Sequence, residues 1–223
     1  MNKKIWDLYA PVYERAMRSD SRIYRRICKR ISRVVIDMEV LELATGPGLI
    51  AKQVAPSTSR MVAADYSEGM IREAEKGVCP DNLSFEVADA TKLPYQDHSF
   101  DAIIIANALH IIPGPEKALA EIDRVLKPEG ILIAPNFVEH EAGFVSRLWS
   151  EILKIAGIHF EHQWTGQEYL DWLVSNGWKV TWHKELGARI TMMYAECRRK
   201  DAPAAGNQWK AELESGGKYH GND

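Results

Sequence analysis

The run Val40-Leu41-Glu42-Leu43-Ala44-Thr45-Gly46-Pro47-Gly48 constrains the fold of this chain more than any other stretch. Val40, Leu41 and Leu43 are apolar, Gly46 and Gly48 break the pattern, and Leu49 to Val54 resumes at helical spacing. That order predicts a buried strand, a glycine turn and a helix. Glycines at such a turn let a ligand lie almost against the backbone. The unpaired amides opening the helix form a partial positive charge that suits a carboxylate or phosphate. A nucleotide-like ligand is the first expectation.

Further strand units follow the first. Arg60-Met61-Val62-Ala63-Ala64-Asp65 reads as a strand ending in an acid, and Tyr66 to Met70 opens the next helix. Asp65 lies about 20 residues past the turn, where doubly wound folds place a carboxylate on the ribose hydroxyls; a helix cap by Asp65 or Ser67 is the alternative. Leu83 to Ala88 alternates like a third strand, with Asp89, Ala90 and Thr91 at its carboxyl end. Ligands bind outside those carboxyl ends, so Asp89 shares a crevice with Asp65. Ala102 to Ala106 is an apolar fourth strand, followed by Asn107-Ala108-Leu109-His110-Ile111-Ile112. Met70 sits where it meets either an adenine face or the core.

The glycines alone also fit a dinucleotide fingerprint, G-x-G-x-x-A. Glu42 discriminates. An acid in an apolar first strand is costly beside a pyrophosphate but suits a ligand presenting an ammonium group or ordered water. With the connector Leu93 to Asp101 and the later Leu126 to Ile133, this set resembles the class I S-adenosylmethionine-dependent methyltransferases over about residues 38–136. The likeness is to their small-molecule, methyltransferase-type-11-like branch. Ala44 stands where that family commonly has its first glycine, and a tighter fit is the expected consequence.

The resemblance implies an α/β fold: a doubly wound, mostly parallel seven-stranded sheet with an antiparallel edge strand, N-terminal helices and a helical lid. It implies that S-adenosyl-L-methionine is held by Tyr13, Glu42, Ala44, Thr45, Gly46, Gly48, Asp65, Tyr66, Met70, Asp89, Ala90 and Asn107, and leaves as S-adenosyl-L-homocysteine. Asp89 would accept the adenine amino group, and the segment carrying Trp6, Tyr9 and Tyr13 would either cover the ligand or be core. Methyl transfer is an in-line displacement, so holding donor and acceptor in contact and excluding water are the main tasks. A base is needed only for an acceptor that loses a proton. His110 is the catalytic candidate, with a structural histidine as the competing reading.

The implied organisation is a single domain over 1–200, with a helical cap at 1–38, the cofactor core at 38–136, an acceptor lid at 137–176 and a loose tail at 201–223. In the cap, Ile23, Ile27, Ile31 and Val34 form one helical stripe while Arg22, Arg25, Arg26, Lys29, Arg30 and Arg33 fill the rest. This is either a packed helix with a solvated basic face or a contact for an anionic membrane surface or nucleic acid. A net charge of -3 gives no global footprint for nucleic acid, and none is expected as a partner. Helices over 141–158 and 166–176 flank a link with His159, Phe160, Glu161, His162 and Trp164, read as an aromatic lid or as core, with no metal expected. Trp178 to Trp182 and Ile190 to Ala195 form a closing hairpin around Gly187. Three scattered cysteines and no long apolar run favour the cytoplasm.

The expected activity is methylation of a small thiol, amine, phenol, quinone or lipid-like acceptor. A nicotinamide oxidoreductase fits the glycines but leaves Glu42 and Asp89 unexplained. A non-catalytic binding module on the same fold is the third reading.

Overall fold

The computed structural model describes residues 3, 5–8, 10–11, 21–138, 161–187 and 191–201. Tyr9 and Tyr13, the helix expected over 141–158 with Phe144 and Trp149, His159, Phe160, and the tail from 202 with Trp209 lie outside the described residues.

The sheet is assembled from β1 (Glu39–Leu43), β2 (Arg60–Asp65), β3 (Leu83–Val87), β4 (Phe100–Ile105), β5 (Leu126–Ile133), β6 (Asn136–Phe137), β7 (Trp178–Leu186) and β8 (Met192–Arg199). Its order is β3-β2-β1-β4-β5-β8, with β1 to β5 parallel and β8 antiparallel to both β5 and β7. The parallel centre is covered on both faces, so its strands are nearly continuous apolar runs. Val40, Met61, Ala63, Ala102, Ile104 and Ile133 enter one core. Their neighbours Leu41, Leu43, Val62, Ile103, Ile105 and Leu132 enter the other.

Helix α1 (Ser21–Val34) buries Ile23, Tyr24, Ile27, Cys28 and Ile31 in the first core. Arg30 fastens it to the sheet: the guanidinium donates to both carboxylate oxygens of Glu196 at 2.7 Å and lies 4.3 Å from the Trp182 ring centre. The short helices α2 (Ala51–Val54) and α3 (Glu68–Ala74) follow β1 and β2. Helices α4 (Pro115–Val125) and α5 (Gly166–Ser175) cover the other face, and α5 opens on a capping box between Thr165 and Glu168.

The parallel sheet with an antiparallel edge matches the expectation, and among the described residues it has eight strands where seven were expected. The extra strand is β6. It pairs Asn136 with Met193 and Phe137 with Met192, in the register that β5 begins with Leu132 on Cys197. Thus β6 resumes the line of β5 beyond Pro135, which lacks the N–H a ladder requires. Two residues are too few to show a period.

Candidate active site

The carboxyl ends of β1 to β4 open into a cavity of about 210 Å³. Sheet order divides it. Residues after β2 and β3 form one flank: Asp65, Tyr66, Met70, Ala88, Asp89, Ala90 and Thr91. Residues after β4 form the other: Ala106, Asn107, Ala108, Ile111, Ile112 and Pro113, with Leu43, Ala44 and Gly46 between.

On the first flank the buried polar groups are tied down. Gly46 N–H donates to Asp65 Oδ2 and Ser67 N–H to Asp65 Oδ1, both at 2.8 Å, so one carboxylate joins the glycine turn to the start of α3. Burial nevertheless raises the Asp65 carboxyl above its ordinary value, against the pull of those amides. Asp89 is exposed, and its Oδ1 accepts from Thr91 N–H at 2.9 Å and Thr91 Oγ1 at 2.7 Å. Trp6 also lines the cavity. Its neighbour Asp7 accepts from Ser67 Oγ at 2.6 Å and Gly69 N–H at 2.8 Å, pinning the N-terminal segment to α3.

Glu42 and Thr45 lie beneath the cavity rather than in its lining. Thr45 Oγ1 donates to Glu42 Oε2 at 3.0 Å, and Thr45 N–H to the Ala64 carbonyl at 3.0 Å. Burial pushes the Glu42 carboxyl up to about 8, opposed by hydrogen bonds from Thr45 and the Ala51 amide. Glu42 is therefore mostly protonated at neutral pH. Gly48, with φ of 77°, does not line the cavity either; a Cβ there would stand 3.0 Å from the Phe85 ring. Its positive φ and the ring explain the glycine without a ligand.

Two residues flanking the cavity hold left-handed backbone without being glycine: Ala44 with φ of 53° and Asn107 with φ of 53°. The family's usual glycine at the Ala44 position thus answers a backbone requirement, and the alanine costs dihedral strain rather than only a tighter fit. Asparagine tolerates this region well. Asn107 Nδ2 donates to the Tyr24 hydroxyl oxygen at 3.0 Å, which turns its Oδ1 to a position with no partner among the described residues.

His110 is buried outside the cavity lining. Its Nδ1 donates to Asn136 Oδ1 at 2.9 Å, and burial lowers the imidazole to about 4, so it is neutral at physiological pH. Its carbonyl accepts from the amides of Glu161 and His162. Trp164 stacks on His162 at 4.7 Å and packs on Tyr169 and Trp172, in the core rather than the cavity.

The structure therefore brings Ala44, Gly46, Asp65, Tyr66, Met70, Asp89, Ala90 and Asn107 to one cavity, and sets Glu42, Thr45, Gly48 and His110 behind it. Sequence reasoning did not single out Ile111, Ile112 and Pro113 as a wall. Their place after an apolar strand was the signal.

The family described as "Methyltransferase domain" matches residues 41–134. A demethylmenaquinone methyltransferase of Clavibacter sepedonicus is 30% identical over 194 residues, covering 78% of this chain and 79% of that protein. A ubiquinone/menaquinone biosynthesis C-methyltransferase of Desulfotalea psychrophila is 38% identical over 94 residues, 41% of this chain and 38% of its own. Among solved structures, the DhpI complex with S-adenosylhomocysteine shares the fold with a TM-score of 0.66 and 20% identity, over 88% of this chain and 94% of that one. The nicotinamide reading is set aside by these matches.

Proposed function

This chain belongs to the family of S-adenosylmethionine-dependent methyltransferases, and on that premise we propose that it methylates a ring carbon of a reduced, quinol-like acceptor. The supporting observation is the flank after β4. Its wall is aliphatic, through Ala108, Ile111, Ile112 and Pro113, and its buried Asn107 Oδ1 has no partner among the described residues. A buried acceptor left bare costs about 1–3 kcal/mol, which a ligand hydroxyl would recover. An apolar ring bearing a hydroxyl satisfies both features. A free small thiol or an alkylammonium satisfies only one. The names of the Clavibacter and Desulfotalea relatives point to the same acceptor class.

In this reading Asp65, Met70, Ala90 and Asp89 would hold S-adenosylmethionine along the first flank, Asp65 accepting from its ribose hydroxyls and Asp89 from its adenine amino group. The sulfonium faces Asn107. Tyr24 holds the Asn107 amide so that Oδ1 accepts the acceptor's hydroxyl hydrogen, orienting the ring carbon for attack. When bound, S-adenosylmethionine would supply an electrophilic methyl group that the ring's π pair could take as the carbon–sulfur pair stays on sulfur. The ring proton then leaves to water and aromaticity returns. His110, neutral and outside the cavity, is assigned to holding Asn136 and the 161–162 segment rather than to taking that proton.

The test is label transfer from S-adenosylmethionine to a panel of a reduced naphthoquinone with an unsubstituted ring carbon, a thiol and an amine. The expected result is carbon methylation of the reduced quinone alone. Faster turnover of the thiol or amine would overturn the acceptor assignment.

A further inference from the structure

We propose that the outer face of α1 docks this protein on an anionic lipid bilayer. Arg22, Arg25, Arg26, Lys29 and Arg33 are all exposed, and no acidic residue lies between Ser21 and Val34. At about 100° per residue the five cations fall within roughly 100° of the helix circumference, opposite the buried Ile23, Ile27 and Ile31. None of the five has a carboxylate partner among the described residues. Arg30, on the margin of the stripe, shows the contrast: it is held by Glu196. Fold stability thus explains Arg30 and leaves the other five unexplained.

Five unpaired like charges on one helix repel one another, and they stand out on a chain whose net charge is -3. A flat anionic surface complements such a stripe, each cation near it adding to affinity. At the foot of the helix Ile36 is 59% exposed beside Asp37, and a groove of about 740 Å³ runs there between Arg25, Lys29 and Arg33 and the turn at Pro56 and Ser57. An exposed isoleucine beside cations suits insertion between acyl chains. The stripe carries no aromatic ring on which a base would stack, which argues against a single-stranded nucleic acid. Among the described residues no helix is long and apolar enough to cross a membrane, so contact would be peripheral.

The buried side of the same helix touches one residue of the cavity wall. Tyr24, one residue before Arg25, accepts the hydrogen bond from Asn107.

Sedimentation of the full chain with vesicles tests this. The expected result is binding to phosphatidylcholine vesicles containing phosphatidylglycerol but not to phosphatidylcholine alone, released by high salt. The Arg25→Gln, Lys29→Gln, Arg33→Gln triple variant is expected to bind about a hundredfold more weakly, roughly fivefold per cation. Its S-adenosylmethionine affinity should be unchanged, which reports an intact fold. Failure of the wild type to sediment with the anionic vesicles, unaltered sedimentation of the folded triple variant, or binding to a mixed-sequence RNA in place of vesicles would overturn docking. The two readings fail separately. Turnover of a soluble reduced naphthoquinone without vesicle binding removes docking alone, whereas vesicle binding without such turnover removes the acceptor assignment.

Discussion

The two flanks of the cavity each have one buried ionisable group behind them, Glu42 behind the glycine turn and Asn136-bonded His110 behind the wall after β4. Burial drives both toward neutrality, the acid up to about 8 and the imidazole down to about 4. The flanks differ in how their buried polar groups are held. The Asp65 flank has its carboxylate oxygens bonded to the protein's own amides, whereas the Asn107 flank keeps a bare carbonyl among aliphatic side chains. The first is organised before any ligand arrives, and in the proposed reading the second is completed by the acceptor. On that reading donor binding depends on the loop's internal bonds, and acceptor choice on a single amide.

The largest effect expected from this contrast is on stability against pH. Glu42 has a folded value above its unfolded value near 4.5, so its contribution is fully present below 4.5 and is lost as pH rises toward about 8. His110 has a folded value below its unfolded value near 6.5, so its contribution is fully present above 6.5 and is lost as pH falls toward about 4. Between the two unfolded values the slopes oppose and nearly cancel. Glu42→Gln removes one of them. The variant is expected to be about 4 kcal/mol more stable than the wild type at pH 8, and its stability should rise from pH 4 to 6.5 and then level off. Chemical denaturation across that range measures it; parallel curves for the two proteins would place Glu42 among ordinary ionised acids.

Next in size is the donor flank itself. Asp65→Ala strands the amides of Gly46 and Ser67 as well as removing the ribose partner, and S-adenosylmethionine affinity is expected to fall about fivefold to 150-fold, about 1–3 kcal/mol. Calorimetric titration of the folded variant reads this directly. Unchanged affinity would dissolve the distinction between the flanks.

Asn107→Ala is the complementary cut. It is expected to lower acceptor kcat/KM about tenfold while donor affinity stays within about threefold, a difference below about 1 kcal/mol. Equal losses in donor and acceptor would merge the flanks into one donor site.

The smallest effect concerns the hinge between them. Ala44→Gly relieves left-handed alanine and is expected to raise stability by about 1 kcal/mol with donor affinity retained. A lower melting temperature would show that the Ala44 methyl contributes more through its packing than its dihedral costs.

These predictions draw on features that differ in how plainly they stand in the sequence. The parallel centre was legible because β1, β2 and β4 are apolar runs, and Asp65 and Asp89 were legible because they end strands. Glu42 was visible as an unusual acid, but its neutrality and its place beneath the cavity depend on the residues folded around it. Gly48 was visible as a turn glycine, while the Phe85 ring that meets it comes from β3, distant in the chain. Asn107 carried no signal for its bare carbonyl, because the Tyr24 bond that turns its amide joins two elements 83 residues apart. His110 looked like a base by residue type; only its burial, with Phe137 packed against it, reveals the lowered value, which the Asn136 hydrogen bond opposes.

The division of the cavity is tested most directly by the crystal structure of the protein with S-adenosylhomocysteine. The predicted result is a product whose ribose hydroxyls bond Asp65, whose adenine lies beside Met70 and Ala90, and whose sulfur faces Asn107 and the Ile111–Ile112 wall. A product lying the other way, with its thioether toward Asp89 and its adenine against Ile111, would contradict it.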